Sequence, residues 1–265
     1  MAMTGVLRPG HAQVRVLDLE KGVKFYGGVL GLKEMGRDKA GRVYFKAWDE
    51  RDHSSVILRK ADHAGIDFFG FKVDSKASLD KFDSDLRAWG CPTERIPANE
   101  MLETGERVRF RIPTGHAIEL YCDKTDVGNG RPYTNPDPWI QDLKGISPVR
   151  MDHCLLYGDD LDGTVKLFTE VLGFGIAEQV MLAGDKKFMI GAFLSCSNKA
   201  HDVAFIRQPV KGKFHHASFE LRSWEQVLRA GDILSRTKTS IDIGPTRHGI
   251  TRGETIYFFD PSGNR

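Results

Sequence analysis

No run of about 20 apolar residues occurs anywhere in the 265-residue chain, so no segment is expected to cross a bilayer as a helix. The opening MAMTGVLRPGH carries no apolar core of a signal peptide, and export is not expected either. Neither sign of charge dominates: 38 Lys+Arg against 36 Asp+Glu leave a net charge of +2, with no basic block. A nucleic-acid partner is therefore not expected. Cysteine is sparse. Cys91, Cys122, Cys154 and Cys196 are scattered without CxxC spacing, which fits four reduced thiols in a cytoplasmic protein. With 40% hydrophobic and 28% charged residues, the rest is an ordinary globule of one or two domains.

What the chain does have is a duplication, residues 7–117 recurring as 149–265. One offset of 142 carries His11 onto His153 and FYGGVLGL onto LFTEVLGF. A second offset of 148 carries FFGFKV onto HASFEL, His53 onto His201 and Pro113-Thr114-Gly115 onto Pro261-Ser262-Gly263. One six-residue insertion between the matches explains both offsets, so internal repetition organises the fold. The division that follows is an N-terminal domain over 1–125, a Pro- and Gly-rich linker over 126–148 and a C-terminal domain over 149–265.

Each half reads as two strand–helix–strand–strand–strand units. Opening strands are expected over 13–17 and 150–157, with further strands over 42–48, 54–59, 187–194 and 202–207. Val165, Phe168 and Leu172 mark an amphipathic helix that Gly173 ends, as Gly31 does in the first half. The second unit of each half carries helices over 79–89 and 224–234. The fold class expected is α+β: two tandem domains, each a curled mixed sheet around a concave face with helices outside.

Chemistry is expected in the second half. Along the strand after Phe214, period two sets Ala217, Phe219 and Leu221 on one face and His216, Ser218 and Glu220 on the other. His153 and His216 open consecutive units, so both can face one cavity, and at the position of His216 the first half has Phe68. A third ligand is expected on the last strand of the fourth unit. Glu119, shifted by 148, falls at position 267, two residues past Arg265.

The segments MDHCLLYGDD, KAHDVAFI, HHASFELRSWE, IDIGPTRHGITRGETIYFFDPSGNR and RPGHAQVRVLDLEK resemble catechol 2,3-dioxygenases. These form the extradiol ring-cleaving class of the vicinal-oxygen-chelate (glyoxalase-like) fold, and the similarity spans essentially the whole chain. The resemblance implies an Fe(II) centre with His153 and His216 as its histidine ligands and a glutamate following a motif like DPSGNR. It selects His216 over His215, in agreement with strand parity. It implies His201 as the acid–base residue, His248 and Tyr257 as hydrogen-bonding partners of the substrate oxygens, and Phe193, Ile206 and Ile250 as the wall of the ring pocket. Two histidines and one carboxylate leave Fe(II) open positions for a catechol-type substrate and O2. The family cleaves the ring beside the diol, in aromatic hydrocarbon degradation, to 2-hydroxymuconic semialdehyde, and forms homotetramers.

The first half keeps His11, His53 and Glu119 but, with Phe68, is expected to have lost its site; His63 and His116 are expected to be surface or structural. Two other readings stand beside this one: a different metalloenzyme of the fold, such as a glyoxalase-type isomerase or Mn(II) dioxygenase, and a metal-free binding protein. Residues 1–265 without position 267 are expected to bind iron weakly and turn over little, as a fragment lacking its third ligand.

Overall fold

The computed structural model describes residues 4–132, 135–136, 142–184 and 188–265. Positions 133–134 and 137–141 of the expected linker, and Lys187 of an expected strand, lie outside the described residues. The first motif comprises β1 (Val6–Val16), α1 (Leu19–Lys24), β2 (Lys33–Arg37), β3 (Val43–Lys46) and β4 (Val56–Lys60). The second comprises β5 (Gly65–Val73), α2 (Lys76–Ala88), β6 (Thr93–Ile96), β7 (Arg107–Arg111) and β8 (Ala117–Tyr121). The third comprises β9 (Arg150–Gly158), α3 (Leu161–Glu170), β10 (Gly175–Leu182), β11 (Phe188–Ser195) and β12 (Val203–Arg207). The fourth comprises β13 (Lys213–Glu220), α4 (Trp224–Arg236), β14 (Ile241–Arg247) and β15 (Glu254–Phe258).

The duplication is written into the helix starts. Asp18 and Asp160 cap α1 and α3 by accepting from Lys21 N and Gly163 N at 3.0 and 2.9 Å. Ser75 and Ser223 cap α2 and α4 through Ser78 N and Gln226 N at 3.1 and 3.4 Å. Each cap satisfies an otherwise orphaned amide, for about 0.5–2 kcal/mol. Gly31 and Gly173 adopt the left-handed conformation, with φ of 83° and 74°, after the helical turns they follow. In α3 the expected stripe is buried: Val165 is 8%, Phe168 0% and Leu172 2% exposed.

Three strands differ from expectation. β1 begins at Val6, not residue 13, because Pro9-Gly10 lies inside the strand rather than in a turn. Gly10 is required there: a Cβ would lie 2.1 Å from the Tyr121 hydroxyl. β2 and β10 were not separately expected. Both end their sheets, and neither has a buried residue to impose a period of two.

The described residues form two compact units, each taking one motif from either half of the sequence. Met1–Gln13, Gly65–Lys124 and Asp152–Ser218 make the first. It contains the strand orders β5-β8-β7-β6 and β10-β11-β12-β9-β13. Its core is aromatic, with Phe71 edge-on to Phe168 at 6.3 Å and to Phe174 at 5.3 Å, and Phe168 edge-on to Phe205 at 5.4 Å. His116 is buried in this unit, its Nε2 3.1 Å from the Lys213 carbonyl, and burial lowers its pKa to about 4. Its role there is structural.

Val14–Ala64, Thr125–Met151 and Phe219–Arg265 make the second unit, with β2-β3-β4 and the hairpin β14-β15. Here Phe25 meets Phe258 at 6.2 Å, Tyr26 Oη donates to Asp260 at 3.2 Å, and Asn264 Nδ2 donates to the Arg15 carbonyl at 2.9 Å. Among the described residues no helix is long and apolar enough to cross a membrane.

Candidate active site

β9 and β13 are neighbours in the five-stranded sheet, and they bring His153 and His216 together. The two Nε2 atoms are 3.1 Å apart, with the rings edge-to-face at 5.2 Å. Imidazole nitrogens bind metals at about 2.0–2.1 Å, so two ligands at right angles stand about 3.0 Å apart. The pair therefore has the bite of adjacent ligands to one divalent metal. His216 is the one buried residue of β13, 2% exposed. The alternation expected along that strand is not expressed as burial. Ala217, Ser218, Phe219 and Glu220 are all half-buried, because β13 ends its sheet. His215 packs edge-on against Tyr157 at 4.7 Å, and its Nδ1 lies 2.6 Å from His216 Nδ1.

His201 stands beside this pair, its ring centroid 4.1 Å from that of His153. Phe193 meets it at right angles at 5.1 Å. Burial, followed by the neighbouring His153, lowers the His201 pKa to about 3, against the pull of Asp152. The ring is thus neutral over the usual range, and its Nδ1 is buried without a hydrogen-bond partner. Such an orphan costs about 1–3 kcal/mol.

Register places the expected wall residues on the face that carries His153. Leu155 of β9 pairs with Ala204, which pairs with Phe193; Tyr157 pairs with Ile206, which pairs with Gly191. His153 shares the face of Leu155 and Tyr157 by the two-residue period. Gly191 makes room for Ile206, whose Cδ1 would sit 2.8 Å from a Cβ there. Phe193, Ile206 and the histidines therefore line one surface of the sheet.

His248, Ile250 and Tyr257 belong to the second unit. Tyr257 Oη lies 3.0 Å from His248 Nε2, and the Arg265 guanidinium covers the Tyr257 ring at 4.2 Å. Ile250 is half-buried in the turn joining β14 to β15, which the left-handed residues Thr251 and Arg252 bend.

Three residues around His153 were quoted within the motifs but not singled out. Asp152 Oδ2 accepts from His153 Nδ1 at 2.6 Å. Lys199 Nζ donates to the Asp152 carbonyl at 2.6 Å and to Asp152 Oδ1 at 2.9 Å, and lies 3.1 Å from Asp202 Oδ1. Burial would raise the Asp152 carboxyl, but His153 and Lys199 hold it far below the usual carboxylate range. An acidic residue directly before the histidine was the available signal; Lys199, 47 positions away in sequence, offered none.

The equivalent place in the first half is filled differently. His11 Nε2 lies 2.9 Å from Glu119 Oε2, and Lys124 Nζ donates to His11 Nδ1 at 3.1 Å. Arg107 NH1 reaches Glu119 Oε2 at 3.0 Å and Arg109 Nε reaches Oε1 at 2.7 Å. Phe68 lies beneath the Arg109 guanidinium at 4.6 Å. Among the described residues no group of three or more His, Cys, Asp or Glu side chains is placed to hold a metal.

The family pattern described as Glyoxalase/Bleomycin resistance protein/Dioxygenase superfamily matches residues 150–265. The catechol 2,3-dioxygenase-like N-terminal domain matches residues 66–125. A metapyrocatechase from Pseudomonas sp. (strain CF600) is 58% identical over 262 residues, covering 98% of this chain and 85% of that protein. A manganese-dependent 2,3-dihydroxybiphenyl 1,2-dioxygenase from Geobacillus genomosp. 3 is 28% identical, covering 97% and 82%. The crystal structure of the 2,3-dioxygenase LapB from Pseudomonas sp. KL28 superposes with a TM-score of 0.96 at 64% identity, covering 99% of this chain and 91% of that one. Homoprotocatechuate 2,3-dioxygenase from Arthrobacter globiformis superposes at 0.86 with 25% identity, covering 99% and 80%. The α+β repeat of βαβββ motifs is thus the vicinal-oxygen-chelate fold, and the chain belongs to the extradiol catechol 2,3-dioxygenase (metapyrocatechase) family.

Proposed function

We propose that this protein cleaves the ring of catechol or a simple substituted catechol beside its diol, consuming O2 and releasing a 2-hydroxymuconic semialdehyde. The observation that carries this reading is the His153–His216 pair, 3.1 Å between Nε2 atoms, in a chain 58% identical to a metapyrocatechase. These two residues would hold Fe(II). When bound, the ferrous ion supplies Lewis acidity and an electron path between the spin-paired diol and triplet O2.

The chain's own side chains have separate tasks. His201 accepts a proton from a catechol hydroxyl and returns it later to oxygen; its ring is neutral and stands beside His153 at 4.1 Å. Phe193 and Ile206 supply an apolar surface against which an aromatic ring lies flat and water is kept away. His248 and Tyr257 already share a hydrogen bond, and in the family reading they position the substrate oxygens. Ile250 has the role of a pocket residue in the family reading alone. Nothing in these assignments needs the first half to bind metal.

The same reading makes the two sequence halves, 1–125 and 149–265, a spent and an active copy of one ancestral domain. It puts the enzyme in the cytoplasm as a homotetramer, which light scattering would check.

The test is anaerobic loading with Fe(II) or with Mn(II), followed by catechol and air, reading the yellow ring-opened product by visible absorbance. Yellow product with Fe(II) supports the proposal. Product with Mn(II) alone moves the metal to manganese, as in the 28%-identical relative. Bound metal without product moves the reading to another reaction of the fold.

A further inference from the structure

We propose that Asp152 and Lys199 are positioning residues, Asp152 holding His153 in the tautomer that presents a bare Nε2 and Lys199 locking Asp152 to the turn that carries His201. The inference rests on the reading of His153 as a metal ligand. A carboxylate cannot donate, so the 2.6 Å contact between Asp152 Oδ2 and His153 Nδ1 requires the proton on Nδ1. A neutral ring with its proton there has a lone pair on Nε2, the atom that faces His216. Metal ligands commonly have their other ring nitrogen fixed in this way.

The first half supplies an internal control. At the offset that carries His11 onto His153, Asp152 is replaced by Gly10. His11 Nδ1 instead faces the Lys124 ammonium at 3.1 Å, and an ammonium can only donate. The His11 proton must then lie on Nε2, which donates to Glu119 at 2.9 Å. Two histidines at matching repeat positions are thus held in opposite tautomers by a carboxylate on one and an ammonium on the other. Only the ring held by the carboxylate has an Nε2 able to bind a cation.

Lys199 extends the device. Its Nζ bonds both the carbonyl and the carboxylate of Asp152 and pairs with Asp202. Asp202 is fully buried, and its carboxylate accepts from Cys196 N at 2.9 Å, Ser197 N at 3.0 Å and Ser195 Oγ at 3.1 Å. That turn delivers His201, whose own ring has no hydrogen bond at Nδ1 to orient it. One ammonium therefore ties the ligand's partner on β9 to the backbone that places His201.

The experiment measures histidine tautomers in the metal-free full chain by long-range 1H–15N correlation, then Fe(II) affinity under anaerobic conditions. Wild type should show His153 protonated on Nδ1 and His11 on Nε2. Asp152→Ala should release His153 from the Nδ1 form and weaken Fe(II) binding by about 10–100-fold, as loss of an outer-shell partner does. Asp152→Asn, of nearly the same shape, guards against a folding defect and should fall between the two. Lys199→Met should weaken binding less, and Lys199→Arg should restore it. An unchanged His153 tautomer in Asp152→Ala, with affinity within about twofold of wild type, overturns the inference. Wild type with the stated tautomers but no uptake of Fe(II) or Mn(II) overturns the metal reading of the site instead, and leaves the tautomer assignment standing.

Discussion

His11 and His153 occupy the same position in the two repeats, yet one ends in a closed ion network and the other in an open pair of imidazoles. Around His11, the buried Glu119 carboxylate is met by His11, Arg107 and Arg109, and Phe68 fills the place of His216. Around His153, Asp152 draws the proton to Nδ1, and Nε2 faces His216. A buried carboxylate needs a compensating cation. Guanidinium groups on β7 serve that need in one copy. The two copies thus surround one repeat position with different partners, Lys124, Glu119 and Phe68 in one and Asp152 and His216 in the other, on the same strand–helix frame.

Replacing His216 by Phe would make the second copy resemble the first, and it should have the largest effect. His216→Phe should abolish Fe(II) binding beyond the about 10–100-fold typical of outer-shell changes, read by equilibrium dialysis. Retention of metal by this variant would remove His216 from the ligand set. His201→Phe should separate chemistry from binding: metal content unchanged, and turnover down by about 10²–10⁴, the usual worth of a general acid–base group. Loss of metal together with activity would show that His201 supports the ligands rather than the proton transfers.

On the first-half side, Glu119→Gln should cost about 3–5 kcal/mol, as breaking a buried ion pair from one side does. Denaturant titration would measure it, with Fe(II) affinity of the second copy unchanged. The pH dependence has a definite sign. Burial alone would raise the Glu119 pKa, but His11, Arg107 and Arg109 bring it from 4.5 to about 2. Its contribution is complete above 4.5 and disappears as pH falls toward 2, where the unfolded chain binds the proton more readily. Burial, with Lys124, lowers His11 from 6.5 to about 3, so between those values the unfolded chain again binds more protons and stability again declines as pH is lowered. Glu119→Gln should flatten the lower part of this decline; an unchanged slope would place the acid sensitivity elsewhere.

Phe68→His should have the smallest effect, giving no second metal equivalent by elemental analysis. The His11 proton stays on Nε2 under Lys124, and Glu119 stays bound to two arginines. A second bound metal in this variant would show that Phe68 alone silenced the first copy.

Much of this contrast was legible beforehand. The exchange of Phe68 for His216, the placing of His216 beside His153 and the companionship of His153, His201 and Phe193 all follow from repeat alignment and motif. Arg107 and Arg109 were not legible as partners of Glu119. They lie on β7, where only the cross-strand pairing of Arg109 with Glu119 puts their guanidinium groups beside it. Lys199 was hidden for the same reason, since it meets Asp152 only through the turn folded around Asp202. β2 and β10 escaped notice because strands without a buried residue leave no period of two. The start of β1 was obscured by Pro9-Gly10, whose glycine answers to the Tyr121 hydroxyl.

The amino-acid order by itself determined the fourfold strand–helix repeat, its helix caps and the copy that carries paired histidines. These are local patterns, or comparisons of one stretch with another, and need no knowledge of what lies across the sheet. Tertiary structure alone decided which motifs pack into one unit, which nitrogen of each histidine holds its proton, and which cation answers each buried carboxylate. Such choices depend on contacts a few ångströms long between residues distant in sequence, and burial makes every unanswered charge or donor costly enough to settle them.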